Sequence, residues 1–146
     1  MDQKTTSELL GILNQIDGEK DLCEYAEHDA NTPHQSFSDY FTSLEKVKTQ
    51  KRSDLIRRIG IERTYGYQLL NGTRGVSRDN AILFCRAAGL DLTETQRLLE
   101  VTNLGILYAK DRRDAILIFC INKDLSVTDT EELIDRMGEA TLQNTF

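Results

Sequence analysis

The stretch that decides the fold is Arg52-Ser-Asp-Leu-Ile-Arg-Arg-Ile-Gly-Ile-Glu-Arg-Thr-Tyr-Gly-Tyr-Gln-Leu-Leu-Asn-Gly72. Apolar residues recur at helical spacing on both sides of Gly60, which can adopt the left-handed conformation that ends a helix without steric cost. The apolar residues before this glycine are Leu55, Ile56 and Ile59. After it, Leu69 and the small Gly66 are expected to face the preceding helix. The stretch therefore predicts two short helices that meet in a tight turn, with the second helix projecting outward.

Glycines also end the predicted helices farther along the chain. Gly60, Gly72 and Gly89 each follow a segment with helical periodicity, which is typical of helix C-termini. The pattern predicts helices at about residues 51–59, 62–71, 78–88 and 93–101. Another helix is predicted to begin at Ser38, whose hydroxyl can cap the first amides while Phe37 packs across the first turn. Its apolar stripe comprises Tyr40, Phe41, Leu44 and Val47.

Helices are predicted on both flanks of this region. Residues 5–17 form an amphipathic pattern behind a capping box, followed by a short helix at 19–27 and a linker at 28–36. Two more helices are predicted at residues 111–123 and 126–137. The second of these is expected to be capped by Ser126 or Thr128, with Gly138 beyond its end. We therefore expect an all-α chain in three parts, which are an acidic N-terminal helix and linker (1–36), a helix-turn-helix domain (37–103) and a C-terminal helical extension (104–146).

The longest apolar run is Ala115-Ile-Leu-Ile-Phe-Cys-Ile121. Taken alone it is compatible with a strand, but the charged segment 110–114 leads directly into it, which favours a helix. The run is far shorter than the roughly 20 residues that a membrane helix needs. The N-terminus also lacks a cationic stretch before an apolar core. We expect a cytoplasmic protein without a membrane partner.

The residue types that carry most enzyme chemistry are sparse. Three cysteines stand far apart without a Cys-x-x-Cys pair, and there are only two histidines, His28 and His34, both in the predicted linker. We therefore expect no metal, and we expect Cys85 and Cys120 to pack as small hydrophobic residues. Because the chain has no Ser-His-Asp candidate and no glycine-rich phosphate loop, neither a cofactor nor catalysis is expected.

The charge is distributed unevenly. The formal net charge of −6 disfavours a nucleic-acid partner, since affinity for phosphate comes mainly from Lys and Arg. However, residues 46–86 carry 10 basic and 3 acidic side chains, whereas residues 1–45 carry 2 and 10, and residues 87–146 carry 6 and 11. A basic block between acidic ones is compatible with a local anion-binding surface or with a solvated helical face.

The sequence resembles the lambda-repressor-like family, also called the xenobiotic-response-element-type helix-turn-helix, at three points. These are the Gly60 turn, the helix ending Leu69-Leu-Asn-Gly72 and the helix start Ser77-Arg-Asp79. The resemblance covers about residues 38–101, and the segments 90–99 and 107–115 are similar to small bacterial regulators with N- and C-terminal extensions. It implies a five-helix domain that binds double-stranded DNA with a recognition helix at about residues 63–71.

The resemblance also implies which side chains would contact DNA. Base edges would be reached by Arg63, Thr64, Tyr67 and Gln68. Arg can donate two hydrogen bonds to guanine, Gln can pair with adenine, and Thr can contact a thymine methyl group. Phosphates or flanking bases would be contacted by Arg52, Asn71, Arg74 and Arg78. For each of these positions, simple solvent exposure is the alternative.

Three positions depart from the family pattern. Ile56 replaces a small Ala, and Gly66 replaces a larger residue, so we expect Ile56 to fill the space that Gly66 leaves. A glycine inside a helix costs roughly 0.5–1 kcal/mol relative to Ala. Glu62 is expected to be a poor cap for the recognition helix, although a carboxylate suits a helix N-terminus electrostatically.

These features predict a sequence-specific transcriptional regulator, and a repressor because no activation surface or sensor domain is visible. The alternative is a protein-interaction module on the same fold, either antitoxin-like or an adaptor, whose basic face is incidental. Since such regulators usually bind two half-sites, we also expect a homodimer joined through residues 102–137. In the alternative arrangement, residues 115–121 pack wholly within their own chain.

Overall fold

The computed structural model describes residues 34–143, and every element of regular secondary structure in that range is a helix. In chain order they are α1 (Phe37–Ser43), α2 (Glu45–Lys48), α3 (Arg52–Ile59), α4 (Arg63–Asn71), α5 (Arg78–Ala88), α6 (Leu92–Val101), α7 (Arg112–Asn122) and α8 (Val127–Arg136). The all-α prediction is confirmed for this range. The predicted helices at 5–17 and 19–27, most of the linker and Cys23 lie outside the described residues.

The first predicted helix is divided in two. α1 begins at Phe37 because Ser36, rather than Ser38, accepts a hydrogen bond from the Asp39 amide (3.2 Å). Leu44 is extended, with φ −71° and ψ 136°, and it separates α1 from α2. The Leu44 amide donates to the Phe41 carbonyl (3.2 Å), three residues back, and the Ser43 hydroxyl donates to the Tyr40 carbonyl (2.6 Å). The prediction of one continuous helix from Ser38 was wrong.

The later helices match their predicted positions to within a residue or two. Gly60, Gly72 and Gly89 have φ values of 82°, 85° and 75°, so all three are left-handed, as predicted. Ser126 caps α8 by accepting from the Asp129 amide (3.1 Å). The apolar run 115–121 lies within α7, as the flanking charges indicated.

One core joins all eight described helices. α3 packs against α4 and α5, α1 packs against α4 and α6, and α8 packs against α3, α5 and α7. The stacked rings of Phe37 and Phe41 (4.9 Å between centroids) meet Phe84 of α5 in this core. The C-terminal helices contribute to the same cluster through Leu117, Ile134 and other buried residues. Residues 104–143 are therefore part of the same compact unit as residues 36–103.

A buried arginine connects α5 to the loop between α7 and α8. Arg86 is 4% exposed, and it donates hydrogen bonds to the carbonyls of Leu90 and Leu125 and to Asp124 (3.4 Å). The terminal nitrogens Nη1 and Nη2 make these hydrogen bonds, whereas the buried Nε–H has no partner among residues 34–143. These hydrogen bonds fix the C-terminal helix pair against the core.

Among residues 34–143, no helix combines the length and the apolar character required to span a bilayer.

Candidate nucleic-acid interface

The turn between α3 and α4 is short and well defined. The Gly60 amide donates to the Ile56 carbonyl (3.0 Å) and closes the end of α3. Only Ile61 and Glu62 then separate Gly60 from the first residue of α4. Such a turn makes the two helices cross closely and exposes one side of the second helix.

Glu62 caps α4, contrary to the prediction that it would cap poorly. Its Oε1 accepts from the Thr64 amide (2.9 Å), and its Oε2 accepts from the Tyr65 amide (2.8 Å). These amide hydrogen bonds, first that of Tyr65 and then that of Thr64, lower the pKa of the Glu62 carboxyl. Because the side chain is long, both oxygens reach the first turn, which a general ranking of cap residues does not anticipate.

The close approach of α3 and α4 depends on Gly66. A Cβ atom at this position would lie 2.7 Å from Cγ2 and 2.8 Å from Cγ1 of Ile56. Ile56 therefore occupies the space that a side chain at residue 66 would need, which confirms the predicted compensation. Leu69 and Leu70 extend the buried side of α4.

The opposite side of α4 is polar and accessible. Thr64 is exposed, and Tyr67 and Gln68 are half-buried one turn farther along the helix. Arg63 is exposed at the N-terminal edge of this side, with its guanidinium carbon 5.7 Å from the centroid of the Tyr67 ring. That contact orients a cation along the helix surface. All four residues predicted to reach base edges are thus brought together on one helix.

The C-terminal end of α4 presents a second polar group. The Asn71 side-chain oxygen accepts from the amide (2.9 Å) and the hydroxyl (2.6 Å) of Thr73. The carboxamide nitrogen of Asn71 therefore remains as the outward donor. Arg74 is exposed and lies 5.6 Å from the Tyr65 ring centroid, and the Tyr65 hydroxyl accepts from Asn80 (3.1 Å). These contacts order the loop that follows α4.

Two shallow clefts border α4. One, of about 320 Å³, lies between α3 and the start of α4, and its lining includes Asp54, Arg57, Ile61 and Arg63. The other, at the end of α4, is lined in part by Ser38, Asn71 and Arg74. Candidate side chains therefore stand at both ends of the helix.

Half of the basic block is neutralised by acidic partners. Within residues 34–143, five of its ten basic side chains form ion pairs, which are Lys46–Glu94, Lys48–Glu45, Arg57–Asp54, Arg78–Asp114 and Arg86–Asp124. Arg58 donates instead to Gln50 and the Ala87 carbonyl. The remaining cations, without an acidic partner in that range, are Lys51, Arg52, Arg63 and Arg74. All four are exposed and lie at the ends of α3 or α4.

Arg78 does not join this group because it is paired within the fold, and its predicted phosphate contact stays a prediction. Its guanidinium forms a two-pronged contact with Asp114 (3.1 and 2.8 Å) and also donates to the carbonyls of Gly105 (3.0 Å) and Ile106 (2.9 Å). Burial opposes ionisation of Asp114, but the hydrogen bonds from Arg78 and the Tyr108 amide prevail and lower its pKa. With four hydrogen bonds inside the fold, Arg78 is a structural anchor.

Two cations near the site were missed from the sequence. Lys51 is the exposed residue before α3, and Arg57 lines the cleft that Arg63 also borders. Both lie in the basic block 46–86, so charge pattern was a usable signal.

The buried cysteines behave as core residues, as predicted. Cys85 and Cys120 are fully buried and free, and burial raises the pKa of the Cys85 thiol to about 12. Neither thiol is available as a thiolate at neutral pH. Within residues 34–143 no group of His, Cys, Asp and Glu side chains is arranged to hold a metal ion.

Comparisons of the chain with protein-family models, curated proteins and solved structures find no match.

Proposed function

We propose that residues 37–103 form a lambda-repressor-like helix-turn-helix domain and that the protein is a sequence-specific regulator, acting as a repressor, that binds double-stranded DNA. One observation carries this proposal. α4 buries one side on Ile56 and exposes the other, and the cations without an acidic partner in residues 34–143 lie at its ends and at the start of α3. An outward polar helix with flanking cations suits a major groove lined by phosphates.

The residues have distinct roles in this proposal. Arg63 donates to the O6 and N7 atoms of guanine, and Gln68 pairs with the N6 and N7 atoms of adenine. Thr64 and the ring of Tyr67 each contact a thymine methyl group. Asn71 donates its free amide hydrogens to a phosphate, as do the guanidinium groups of Arg52 and Arg74.

The proposal is tested by selecting bound sites from a pool of random duplexes and measuring affinity for the preferred site over a range of salt concentrations. Phosphate binding weakens steeply as salt rises, whereas an apolar protein interface need not. Affinity that is absent at low salt, or independent of salt, would favour the protein-interaction alternative.

Two variants test the base contacts. Arg63→Ala and Gln68→Ala should each lose about 1–3 kcal/mol on the preferred site and relax base preference at one position. Arg52→Ala is the matched control, because loss of a phosphate contact should weaken preferred and random duplexes alike and lower the salt slope by about one unit. Retained preference at every position would contradict the assignments of Arg63 and Gln68.

We also propose that the protein binds DNA as a homodimer. A single recognition helix reads only a few base pairs, and two-fold symmetry doubles the length of the site. The C-terminal helices are the proposed means of association, since α7 and α8 leave an apolar surface that their own core does not cover.

A further inference from the structure

Two tyrosines of α4 each hold one arginine of the proposed interface by an aromatic ring. The guanidinium carbon of Arg63 lies 5.7 Å from the centroid of the Tyr67 ring, and that of Arg74 lies 5.6 Å from the centroid of the Tyr65 ring. They are the two arginines of residues 34–143 that make cation–π contacts. Because the negative face of a ring attracts the cation without accepting a hydrogen bond from it, such a contact leaves the N–H donors available.

The donors of both arginines are in fact free within the described chain. Neither the Arg63 nor the Arg74 guanidinium donates a hydrogen bond to another residue of 34–143. Arg78, by contrast, directs its donors at Asp114 and at two backbone carbonyls. An arginine held by a ring therefore keeps a defined direction together with its five donors, and two-pronged recognition of guanine requires both.

Helix geometry places the two contacts on different sides of α4. Tyr67 follows Arg63 by four positions, so the two residues share a side, and Tyr67 leans back over the first turn of the helix. Tyr65 points elsewhere, and its hydroxyl accepts from Asn80 of α5 (3.1 Å). Both rings pack partly against the core, so each is a fixed support for its cation.

A carboxylate near Arg63 offers a competing position. Arg63 borders the cleft between α3 and α4, and the Asp54 side chain lines the same cleft and pairs there with Arg57 (3.1 Å). An ion pair with Asp54 would turn the Arg63 donors into the cleft and away from the exposed side of α4. The Tyr67 ring lies outside the lining of this cleft and keeps Arg63 on the exposed side.

We propose that Tyr67 is a positioning residue that directs Arg63 and thereby increases discrimination in favour of guanine. Tyr65 has the parallel role of directing Arg74 to a phosphate, which contributes affinity without base preference. An arginine that is already ordered loses less conformational freedom on binding, so the ring contact strengthens the interaction that follows. The inference deepens the proposed function and rests on it, and it gives Tyr67 a role that acts through Arg63 in addition to its thymine contact.

The experiment measures affinity of the full chain for the selected duplex and for duplexes with each other base pair at the guanine position that Arg63→Ala identifies. Tyr67→Leu keeps an apolar surface for a thymine methyl group but removes the ring, and it should lower guanine discrimination about two- to fivefold. Tyr67→Phe keeps the ring and should retain the wild-type discrimination. In an Arg63→Ala background, Tyr67→Leu should cause no further loss at this position.

The second tyrosine supplies the matched control. Tyr65→Leu should lower affinity for preferred and random duplexes alike, by about two- to fivefold, and leave guanine discrimination unchanged. Tyr65→Phe loses only the hydrogen bond from Asn80, so it separates the ring contact from the ordering of the loop. A loss of guanine discrimination in Tyr65→Leu equal to that in Tyr67→Leu would overturn the proposal, because it would reflect a general disturbance of α4.

A measurement without DNA separates the contact from the proposed function. In NMR spectra of the full chain, the ring current of Tyr67 should shift the Arg63 δ-methylene protons upfield. Tyr67→Leu should abolish this shift and Tyr67→Phe should retain it. A shift in a chain that binds no duplex would overturn the proposed function, and with it the role of Tyr67 in reading guanine. Guanine discrimination that Tyr67→Leu leaves unchanged would overturn the role of Tyr67 alone and leave the proposed DNA binding intact.

Discussion

At the scale of single residues, the contact between Ile56 and Gly66 determines how closely α3 and α4 cross. Gly66→Ala should destabilise the fold by about 1–3 kcal/mol, because the added Cβ would meet Ile56 at 2.7 Å in a filled core. In an Ile56→Ala background, the same change should be neutral or stabilising by about 0.5–1 kcal/mol, since Ala is the better helix former. Urea unfolding of the four proteins measures this coupling.

Gly75→Ala is the matched control, because a Cβ there would meet nothing within 4 Å. The two glycine variants should therefore differ clearly in free energy of unfolding. Equal effects of Gly66→Ala with and without Ile56 would show that the two residues are not coupled.

Glu62 places a carboxylate at the end of α4 that faces the proposed DNA. Glu62→Gln should increase affinity for random duplexes at low salt, since it removes one negative charge near the phosphates while leaving one acceptor for the amides. Asp135→Asn on α8, an exposed acid away from α4, should have little effect on this affinity. Equal gains in both variants would mean that only the total charge matters.

The cap also makes a pH-dependent contribution to stability. The pKa of Glu62 in the folded chain lies below its ordinary value of 4.5, so ionisation favours folding. This contribution is present above about pH 4.5 and is lost as the pH falls through the lowered pKa.

At the scale of helices, two ion pairs connect the start of α5 with the start of α7. Arg78 pairs with Asp114, and Arg113 pairs with Asp79 through two hydrogen bonds (3.0 and 3.1 Å). The hydrogen bonds that Arg113 donates to Asp79 raise the pKa of Arg113, so its guanidinium stays ionised. α5, which follows the loop after α4, is thus attached to α7.

Asp114→Asn should cost about 2–3 kcal/mol at neutral pH, because a largely buried carboxylate that satisfies Arg78 is lost. The folded-state pKa of Asp114 is lowered, so its stabilisation is present above about pH 4 and disappears as the pH falls through that pKa. Urea unfolding at neutral pH and near pH 3 should show a difference between wild type and variant that shrinks in acid. A constant difference would contradict an ionised Asp114.

At the scale of the whole molecule, the proposed dimer would determine the length and symmetry of the proposed DNA site. The wild-type chain should select inverted repeats whose half-sites lie about one helical turn, or 10–10.5 base pairs, apart or a multiple of it. Phe119→Glu, in the exposed apolar surface of α7, should select only a single half-site with weaker binding, although its recognition helix is unchanged. An asymmetric single site selected by the wild type would contradict two-fold binding.

Local chemistry made most of the helices predictable from the sequence. Helical periodicity, capping side chains such as Ser126 and left-handed glycines such as Gly60 act within a few residues, so the chain alone determines them. The pairing of Ile56 with Gly66 was also predictable, because two unusual sizes at facing positions compensate each other.

Only the tertiary structure decided which charges remain available and which apolar residues remain exposed. Arg74 and Arg78 look equivalent in the sequence, yet Asp114, 36 positions after Arg78, binds Arg78 and leaves Arg74 on the surface. Likewise, residues 115–121 are apolar throughout, and packing of α7 against α6 and α8 determines that Ala115 and Phe119 are the two exposed residues among them. Both outcomes depend on contacts between distant segments, because ion pairing and burial depend on spatial distance rather than on sequence distance.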